Sequence, residues 1–334
     1  MTNWAEMAHK IAENILFPAA DRVDADGQIP DSHFEALAAD GFYGLAVADE
    51  ADVTPSVLVE VYETLGGGCL ATAFTWLQHH GAVAGLSRSP NSGLRDRYLE
   101  GLVDGTFRAG VSMAGTIPVP PLLWARRVDD GYVLDGVAPF VTGWGIVDLL
   151  QVSARDEFDN SIVNVLIPAQ SLRGLTAEQL PLIAARGSNT VRLQFDGLAV
   201  PRGLVSTFVT PEEFANSQLF ASWKNACMAM GITRRAITEL ETLGVDADPL
   251  KEQAALARLD LDAALDGRAK IAEARARTSE LAVRAAAALV TAKGSSSLIA
   301  GNTAERLMRE ATFTLVAFGR PAIKTALLER LIRG

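Results

Sequence analysis

The sequence predicts an α+β protein of several domains, with a helical N-terminal domain, a middle antiparallel β domain and a C-terminal helical bundle. Three observations predict it: helical periodicity up to about residue 108, short β-branched segments from about 110 to 210, and long runs rich in Ala, Leu, Glu and Arg thereafter. We place the domains at residues 1–108, 109–210 and 211–334. Few folds insert a β domain between two helical ones, so this order is itself informative.

The first two helices follow from apolar spacing and from helix-start and helix-stop residues. Apolar residues at i, i+3 and i+4 mark a first helix, which Pro18 interrupts: Trp4, Met7, Ala8, Ile11, Ala12 and Ile15. A second helix, Phe34 to Ala39, follows Asp31-Ser32 and stops at Asp40-Gly41.

Two further helices are expected before the β domain. The third runs from Pro55 to Leu65 and ends in Gly66-Gly67-Gly68. The fourth carries Phe74, Leu77 and the pair His79-His80. Neighbours in a helix point to different faces, so the histidine pair predicts a structural or surface role.

The middle of the chain changes to strand periodicity. Asp130-Gly131 lies between Trp124–Val128 and Tyr132–Leu134, which predicts a β-hairpin. Three more short segments, separated by turn residues, complete the predicted β domain: Val147–Ser153, Ile162–Ile167 and Thr190–Phe195.

After Pro211 the pattern returns to helix, over residues 212–243 and 250–293. Alanine on one face of the second run allows close packing in a bundle: Leu281, Ala285, Ala288, Leu289 and Ala292. A final helix covers Ala304 to Leu331, with a bend near Pro321.

Composition excludes several classes of partner. The formal net charge of −10 argues against nucleic acid or an anionic membrane. No apolar run is long enough to span a bilayer, and residues 1–17 lack the basic and apolar regions of a signal peptide. A soluble cytoplasmic protein is therefore expected. Cys69 and Cys227 are interpreted as buried free thiols in a reducing compartment, with a disulfide as the alternative.

Familiar catalytic signatures are missing from the chain. No Gly-x-Gly-x-x-Gly opens a helix, no phosphate loop is present, and no His, Cys and Asp residues have metal-ligand spacing. Ser112, Ser153 and Ser188 lack the context of a nucleophile elbow.

Short motifs recur in order along almost the whole chain. They are Phe17-Pro18 through Asp24-x-Asp26-Gly27-x-Ile29-Pro30, Leu37 to Leu45, Arg97-Tyr98-Leu99 ahead of Val111 to Ala114, Gly131 to Gly136, Phe140 to Gly143 with Asp148, Phe195-Asp196-Gly197 through Val200-Pro201, and Ala304 to Ala311. In this order and spacing, the chain resembles the acyl-CoA dehydrogenase superfamily. It is most similar to short members without a base, as in two-component acyl-CoA dehydrogenases.

The resemblance implies an FAD site. Family members hold the isoalloxazine with a Trp-Ile-Thr triplet, which here is Phe140-Val141-Thr142. The preceding strand, whose backbone amides face the flavin pyrimidine, corresponds to the stretch with Met113 and Ala114. Phenylalanine keeps a stacking surface. The alternative interpretation is that Phe140 is ordinary β-domain core.

The C-terminal part of the implied site departs from the family. The glycines that approach the FAD of a neighbouring subunit fall on Gly294-Ser295-Ser296-Ser297, and the preceding glutamine falls on Thr291. Small residues there still allow close backbone approach. The Arg-x-x-Phe-Gly element that reaches the pyrophosphate has no counterpart, because Leu243 to Leu256 is short and acidic.

The glutamate base is the second departure. Removing the α-proton of an acyl thioester needs a buried carboxylate with a raised pKa. The resemblance places this residue at Phe318 or, in a minority of members, near Ala221, and neither is a carboxylate. The catalytic base is therefore unassigned.

The implied function is FAD-dependent α,β-dehydrogenation of an acyl-CoA thioester, in a homo-oligomer or with a second dehydrogenase-like chain. Two alternatives stay open: a flavin-dependent monooxygenase on the same fold, and a non-catalytic scaffold subunit. Arg126-Arg127 and Arg234-Arg235 are the candidate contacts for coenzyme A, with a solvated surface as the other interpretation of each pair.

Overall fold

A computed structural model describes residues 2–48 and 52–333 of the chain. Six α-helices of the N-terminal part are α1 (Trp4–Ile11), α2 (Phe17–Asp26), α3 (Asp31–Ala39), α4 (Pro55–Gly68), α5 (Leu70–Ser87) and α6 (Ser92–Val103). The predicted first, second and fourth helices are confirmed as α1, α3 and α5. No helix in the described ranges is long and apolar enough to cross a membrane.

The sequence predicts that Pro18 interrupts the first helix. This prediction is wrong, because α1 continues into α2 through a π-helical turn, Ala12–Leu16. The Phe17 amide donates to the Ala12 carbonyl, five residues back. Pro18, which has no N–H to donate, then lies in the first turn of α2. A local change of helix type thus absorbs the proline without a break.

The expected end of the third helix at Leu65 is also wrong, because α4 continues through its three glycines to Gly68. A Cβ on Gly67 would stand 2.7 Å from the Gly231 carbonyl oxygen. A Cβ on Gly231 would press on the Glu63 carbonyl oxygen in the same way. The glycines let two helices touch backbone to backbone, which is why they lie inside an element and not at its end.

The middle of the chain forms one sheet of eight strands: β1 (Ala109–Ser112), β2 (Leu123–Val128), β3 (Gly131–Val141), β4 (Leu149–Asp156), β5 (Ile162–Pro168), β6 (Leu175–Gln179), β7 (Val191–Pro201) and β8 (Val205–Val209). The strand order is β6-β7-β3-β2-β4-β5-β8, with β1 beside β4. The predicted hairpin is confirmed by the antiparallel pairing of β2 with β3. Most other pairs are antiparallel as expected, but β4 pairs in parallel with both β1 and β2.

The C-terminal helices are α7 (Pro211–Thr242), α8 (Asp248–Leu265), α9 (Ile271–Lys293), α10 (Thr303–Val316) and α11 (Pro321–Arg333). Two expected continuous helices are therefore each two helices. The run 250–293 breaks at the turn around Gly267, whose φ is +71°. The final helix breaks at residues 317–320, and Pro321 begins α11, a position where its missing N–H has no cost.

Helices of the first and last thirds share one hydrophobic core, which includes Leu65, Trp76, Trp223 and Leu307. The sheet has its own core, with Leu134, Val152 and Phe195. Cys69 and Cys227 are buried free thiols, as predicted. The domain boundaries at residues 108/109 and 210/211 stay a prediction.

Candidate functional site

The end of β3 brings the predicted flavin-contact residues of the β domain together. A Cβ on Gly110 would lie 3.1 Å from the Thr142 carbonyl oxygen, and one on Gly115 would lie 2.6 Å from that of Val137. The segment with Met113 and Ala114 thus runs alongside the last residues of β3. Neither of its two amides donates to a carbonyl of the described backbone outside the strand ladder.

Phe140 and Val141 face in opposite directions, as successive strand residues do. Val141 is fully buried, whereas the Phe140 side chain is 61% exposed. The interpretation of Phe140 as ordinary core is therefore wrong. A large exposed aromatic ring on a strand end is a surface that another group can cover.

Thr142 ends a short chain of hydroxyl groups. Its Oγ1 lies 3.1 Å from Thr190 Oγ1, which lies 2.9 Å from Ser188 Oγ. Three hydroxyls carry three protons and need only two for these bonds. One of the three protons is therefore not used within this group of hydroxyls.

Gly294 and Ser295 lie in the C-terminal bundle, in the short turn Gly294–Leu298 between α9 and α10. Gly294 has a φ of +75° and open space where a Cβ would stand. Its neighbours Leu298 and Ile299 are 85% and 69% exposed. The turn packs against α9 and α10. It therefore belongs to the C-terminal helical bundle, whereas the β3 residues belong to the sheet.

Phe318, at the expected base position, lies in the loop between α10 and α11 with a φ of +55°. Its ring lies 5.4 Å from that of Phe74 on α5, and Phe313 lies 5.1 Å from the same ring. Arg320 of this loop donates to the side-chain oxygen of Gln218 on α7. The loop thus bridges α5 and α7, and the base position is an aromatic cluster.

Ala221, the second expected base position, is a partly buried residue of α7. One helical turn further lies Lys224, a residue that belongs to none of the motifs. A signal was available, because Lys224 is the only charged residue between Glu213 and Arg234. Burial lowers the pKa of Lys224 to about 8.

The two adjacent histidines have different surroundings. His79 Nδ1 accepts from the Ala109 amide at 3.1 Å, and Nε2 donates to the Leu102 carbonyl at 2.9 Å. Burial lowers the pKa of His79 to about 4, so this imidazole is a neutral structural link, as predicted. His80 is buried, and neither ring nitrogen has a hydrogen-bond partner among the described residues.

Three of the four arginines that are candidate contacts for coenzyme A form ion pairs with carboxylates of this chain. Arg127 pairs with Asp156 at 2.7 Å and with Asp159 at 2.5 Å. Arg234 pairs with Glu60 and Glu63, and buried Arg235 pairs with Glu13. The assignment of Arg234-Arg235 to coenzyme A is therefore wrong, since both cations hold α7 against the N-terminal helices.

Comparison with known proteins gives similarities in sequence and in fold. Residues 2–106 match the family model described as acyl-CoA dehydrogenase, N-terminal domain. The chain is 24% identical over 207 residues to 3-sulfinopropanoyl-CoA desulfinase of Paraburkholderia xenovorans (strain LB400), covering 58% of this chain and 53% of the relative. It is 24% identical over 220 residues to mitochondrial isovaleryl-CoA dehydrogenase of Arabidopsis thaliana, covering 59% and 51%. The matched part spans about half the length of these relatives.

Solved structures match over the full chain. Butyryl-CoA dehydrogenase from Megasphaera elsdenii superposes with a TM-score of 0.84 at 20% identity, covering 100% of this chain and 99% of that one. The FAD complex of PigA has a TM-score of 0.82 at 20% identity, with the same coverage. These likenesses show the fold. The N-terminal third thus matches the acyl-CoA dehydrogenase family model, and the chain as a whole has the fold of solved acyl-CoA dehydrogenases.

Proposed function

We propose that the chain is an FAD-dependent oxidoreductase subunit that carries out α,β-dehydrogenation of an acyl-CoA thioester, with a second dehydrogenase-like chain contributing the carboxylate base. The observation that carries the proposal is the surface at the end of β3. It presents an exposed aromatic ring, Phe140, next to the segment with Met113 and Ala114, and the buried hydroxyl of Thr142 follows at the end of the strand.

These residues fit the flavin ring. An isoalloxazine has a flat apolar face and a polar edge, and Phe140 offers a ring for stacking while amides and a hydroxyl offer hydrogen bonds. Bound FAD would supply the hydride acceptor. Phe140 would stack against the ring, and the residues around it would orient the polar edge. The pyrophosphate has no equivalent set of donors on the α7–α8 turn, Leu243–Ala247, so we assign that contact to a partner.

The partner requirement rests on the aromatic base position. Phe318 and Ala221 cannot accept a proton, and nearby Arg320 is a cation bonded to Gln218. Glu63 is buried, but Arg258 Nη1 donates a hydrogen bond to its carboxylate at 2.5 Å, so this carboxylate is already paired. The exposed Leu298 and Ile299, next to Gly294, are a surface that an assembled partner would cover. Both thiols are free, which agrees with a cytoplasmic protein.

The absorbance spectrum of the purified chain tests the flavin site, alone and with added FAD, before and after co-purification with the second dehydrogenase-like chain. We expect Phe140→Ala and Thr142→Val to lower flavin occupancy. Phe208→Ala removes another exposed aromatic of the sheet, 56% exposed, and serves as the matched control.

Three outcomes would contradict the proposal in different ways. Full acyl-CoA-dependent dye reduction by the lone chain would remove the need for a partner. A colourless protein in every combination would indicate a scaffold subunit. Oxygen consumption with reduced flavin, without acyl-CoA activity, would indicate a monooxygenase.

A further inference from the structure

A buried arginine of α9 is bonded to the end of α10, just before the Phe318 loop. Arg275 is 3% exposed, and its Nη2 donates to the Thr314 carbonyl at 3.0 Å. Ser279, one turn further along α9, donates its hydroxyl to the same carbonyl at 2.9 Å and accepts from Arg275 Nη1. Two side chains of α9 thus hold one backbone oxygen near the end of α10.

The Thr314 carbonyl is one that the helix itself leaves free. In a continuing helix the Phe318 amide would donate to it, but Phe318 turns away with a left-handed φ of +55°. The described backbone supplies no other donor to this oxygen. The last carbonyls of a helix carry a partial negative charge, which a nearby cation stabilises. Arg275 and Ser279 therefore replace the missing helical hydrogen bond.

Arg275 has no carboxylate partner in the part of the chain that the structure describes, unlike its neighbours on α9. Arg277 pairs with Asp260, and Arg284 pairs with Glu280. Burial lowers the pKa of Arg275 to about 10, so the guanidinium is still charged at neutral pH. A buried cation without a counter-charge is costly, so the contact with the negative end of α10 is where this charge is compensated.

Helix α5 holds the same segment through aromatic side chains. Phe313 and Phe318 lie on either side of Thr314 in the sequence, and both rings pack on Phe74, with centroids 5.1 Å and 5.4 Å away. The backbone of the segment is thus fixed by Arg275 and its side chains by α5. Without Arg275 the loop would keep its aromatic contacts but lose the bond that fixes the end of α10.

We propose that Arg275 is a positioning residue for the acyl ligand: by fixing the end of α10, it sets the place of the Phe318 loop. The inference rests on the proposed function, in which this loop, at the family's base position, lies beside the acyl group. Arg275 acts through the Thr314 carbonyl and not by touching the ligand. Ser279 shares the role, because it donates to the same oxygen.

Hydrogen exchange of the Ala317 and Gly319 amides, which are hydrogen-bonded at the start of the loop, tests whether Arg275 fixes it. We expect Arg275→Met to raise their exchange rates about tenfold, the size that follows from losing a hydrogen bond from a charged group. Arg275→Lys keeps the charge and a donor, so it should restore most of the protection. Arg277→Met, which removes an arginine of the same helix that pairs with Asp260, is the matched control.

Kinetics of the flavin-loaded assembly with butyryl-CoA test the positioning role. We expect Arg275→Met to lower kcat/KM about tenfold at unchanged flavin absorbance, because the loop no longer holds the acyl group in one geometry. Arg275→Lys should recover most of this loss. Ser279→Ala should cause a smaller loss that does not add to that of Arg275→Met, since both act on one carbonyl. Ser279→Ala also carries the test if Arg275→Met fails to fold.

Two results would overturn the proposal. One is unchanged exchange of the loop amides in folded Arg275→Met and Ser279→Ala proteins. The other is faster exchange with an unchanged kcat/KM for butyryl-CoA, which would make Arg275 a structural cap of α10. A colourless or inactive wild-type assembly would count against the proposed function, whereas wild-type turnover that Arg275→Met retains would count only against the role of Arg275.

Discussion

The ring of Phe318 lies 5.4 Å from the ring of Phe74, with the two planes tilted by 58°. Phe318 holds a left-handed φ of +55° in the loop between α10 and α11, and its side chain is 38% exposed. An aromatic contact therefore occupies the place where the family resemblance puts a proton-accepting carboxylate. The loop keeps its position between α5 and α7 through this packing and through the bond from Arg320 to Gln218.

Phe318→Glu should give the lone chain a base. A carboxylate beside Phe74 and Phe313 would be partly desolvated, which raises its pKa toward the range useful for proton abstraction. With FAD bound, we expect acyl-CoA-dependent dye reduction at least about tenfold above wild type, the lower part of the range for general base catalysis. Phe318→Gln has the same size without the base and should stay inactive. Equal inactivity of both flavin-loaded variants would show that the loop does not face the substrate.

Gly231→Ala should destabilise the protein although alanine is the better helix former. The added Cβ would press on the Glu63 carbonyl of α4, and rigid backbone cannot move aside as a flexible side chain would. We expect a loss of about 1–3 kcal/mol in the free energy of unfolding, measured by urea denaturation. Gly203→Ala, where no atom stands within 4 Å of the new Cβ, is the control and should be near neutral. A stabilised Gly231→Ala would contradict the close contact of α4 with α7.

Lys224→Met should stabilise the protein at pH 7 by about 1–3 kcal/mol, because it removes an unpaired charge. The pKa of Lys224 falls from 10.5 in the unfolded chain to about 8 in the folded one. Between these values the unfolded chain binds the extra proton, so wild-type stability rises with pH and the advantage of the variant shrinks. Urea denaturation of both proteins from pH 7 to 10 measures this difference.

Other buried titratable groups of α4, α5 and α7 do not titrate in the lower part of that window. Burial lowers the pKa of His80 and raises that of Tyr62 on α4, and it raises the pKa of Cys227 to about 12. Glu63 and Arg258, which lie next to Cys227, are paired with each other. A constant gap between wild type and Lys224→Met from pH 7 to 10 would show that the ammonium is not desolvated.

His79 should make the fold sensitive to acid. Its pKa is about 4 in the folded protein against 6.5 when unfolded, so the unfolded chain binds more protons between these values. Stability is fully present above pH 6.5 and falls by about 1–3 kcal/mol as pH falls toward 4, since a charged imidazole cannot accept from the Ala109 amide. His79→Gln should show a shallower pH dependence in urea titrations. His9→Gln, on the exposed face of α1, should follow the wild type throughout.

Local signals in the sequence were enough for the order of domains, the β2–β3 hairpin and the buried thiols. Period, turn residues and capping act within a few residues, so the chain carries them without reference to its partners. Motif order also assigned Phe140 to Thr142 and the stretch with Met113 and Ala114 to one flavin site, and that assignment stays a prediction. Whether these residues hold FAD stays a prediction, as do Gly294 and Ser295.

Contacts between distant segments governed the rest. The glycines of α4 look like a helix end until Gly231 lies against Gly67, and Arg234 and Arg235 look like a phosphate site until carboxylates of α1–α4 neutralise them. Phe318 and Phe74 are far apart in the chain and meet only when the loop after α10 packs against α5. Burial and charge pairing depend on all neighbours in space at once, so periodicity and motif spacing could not reveal them.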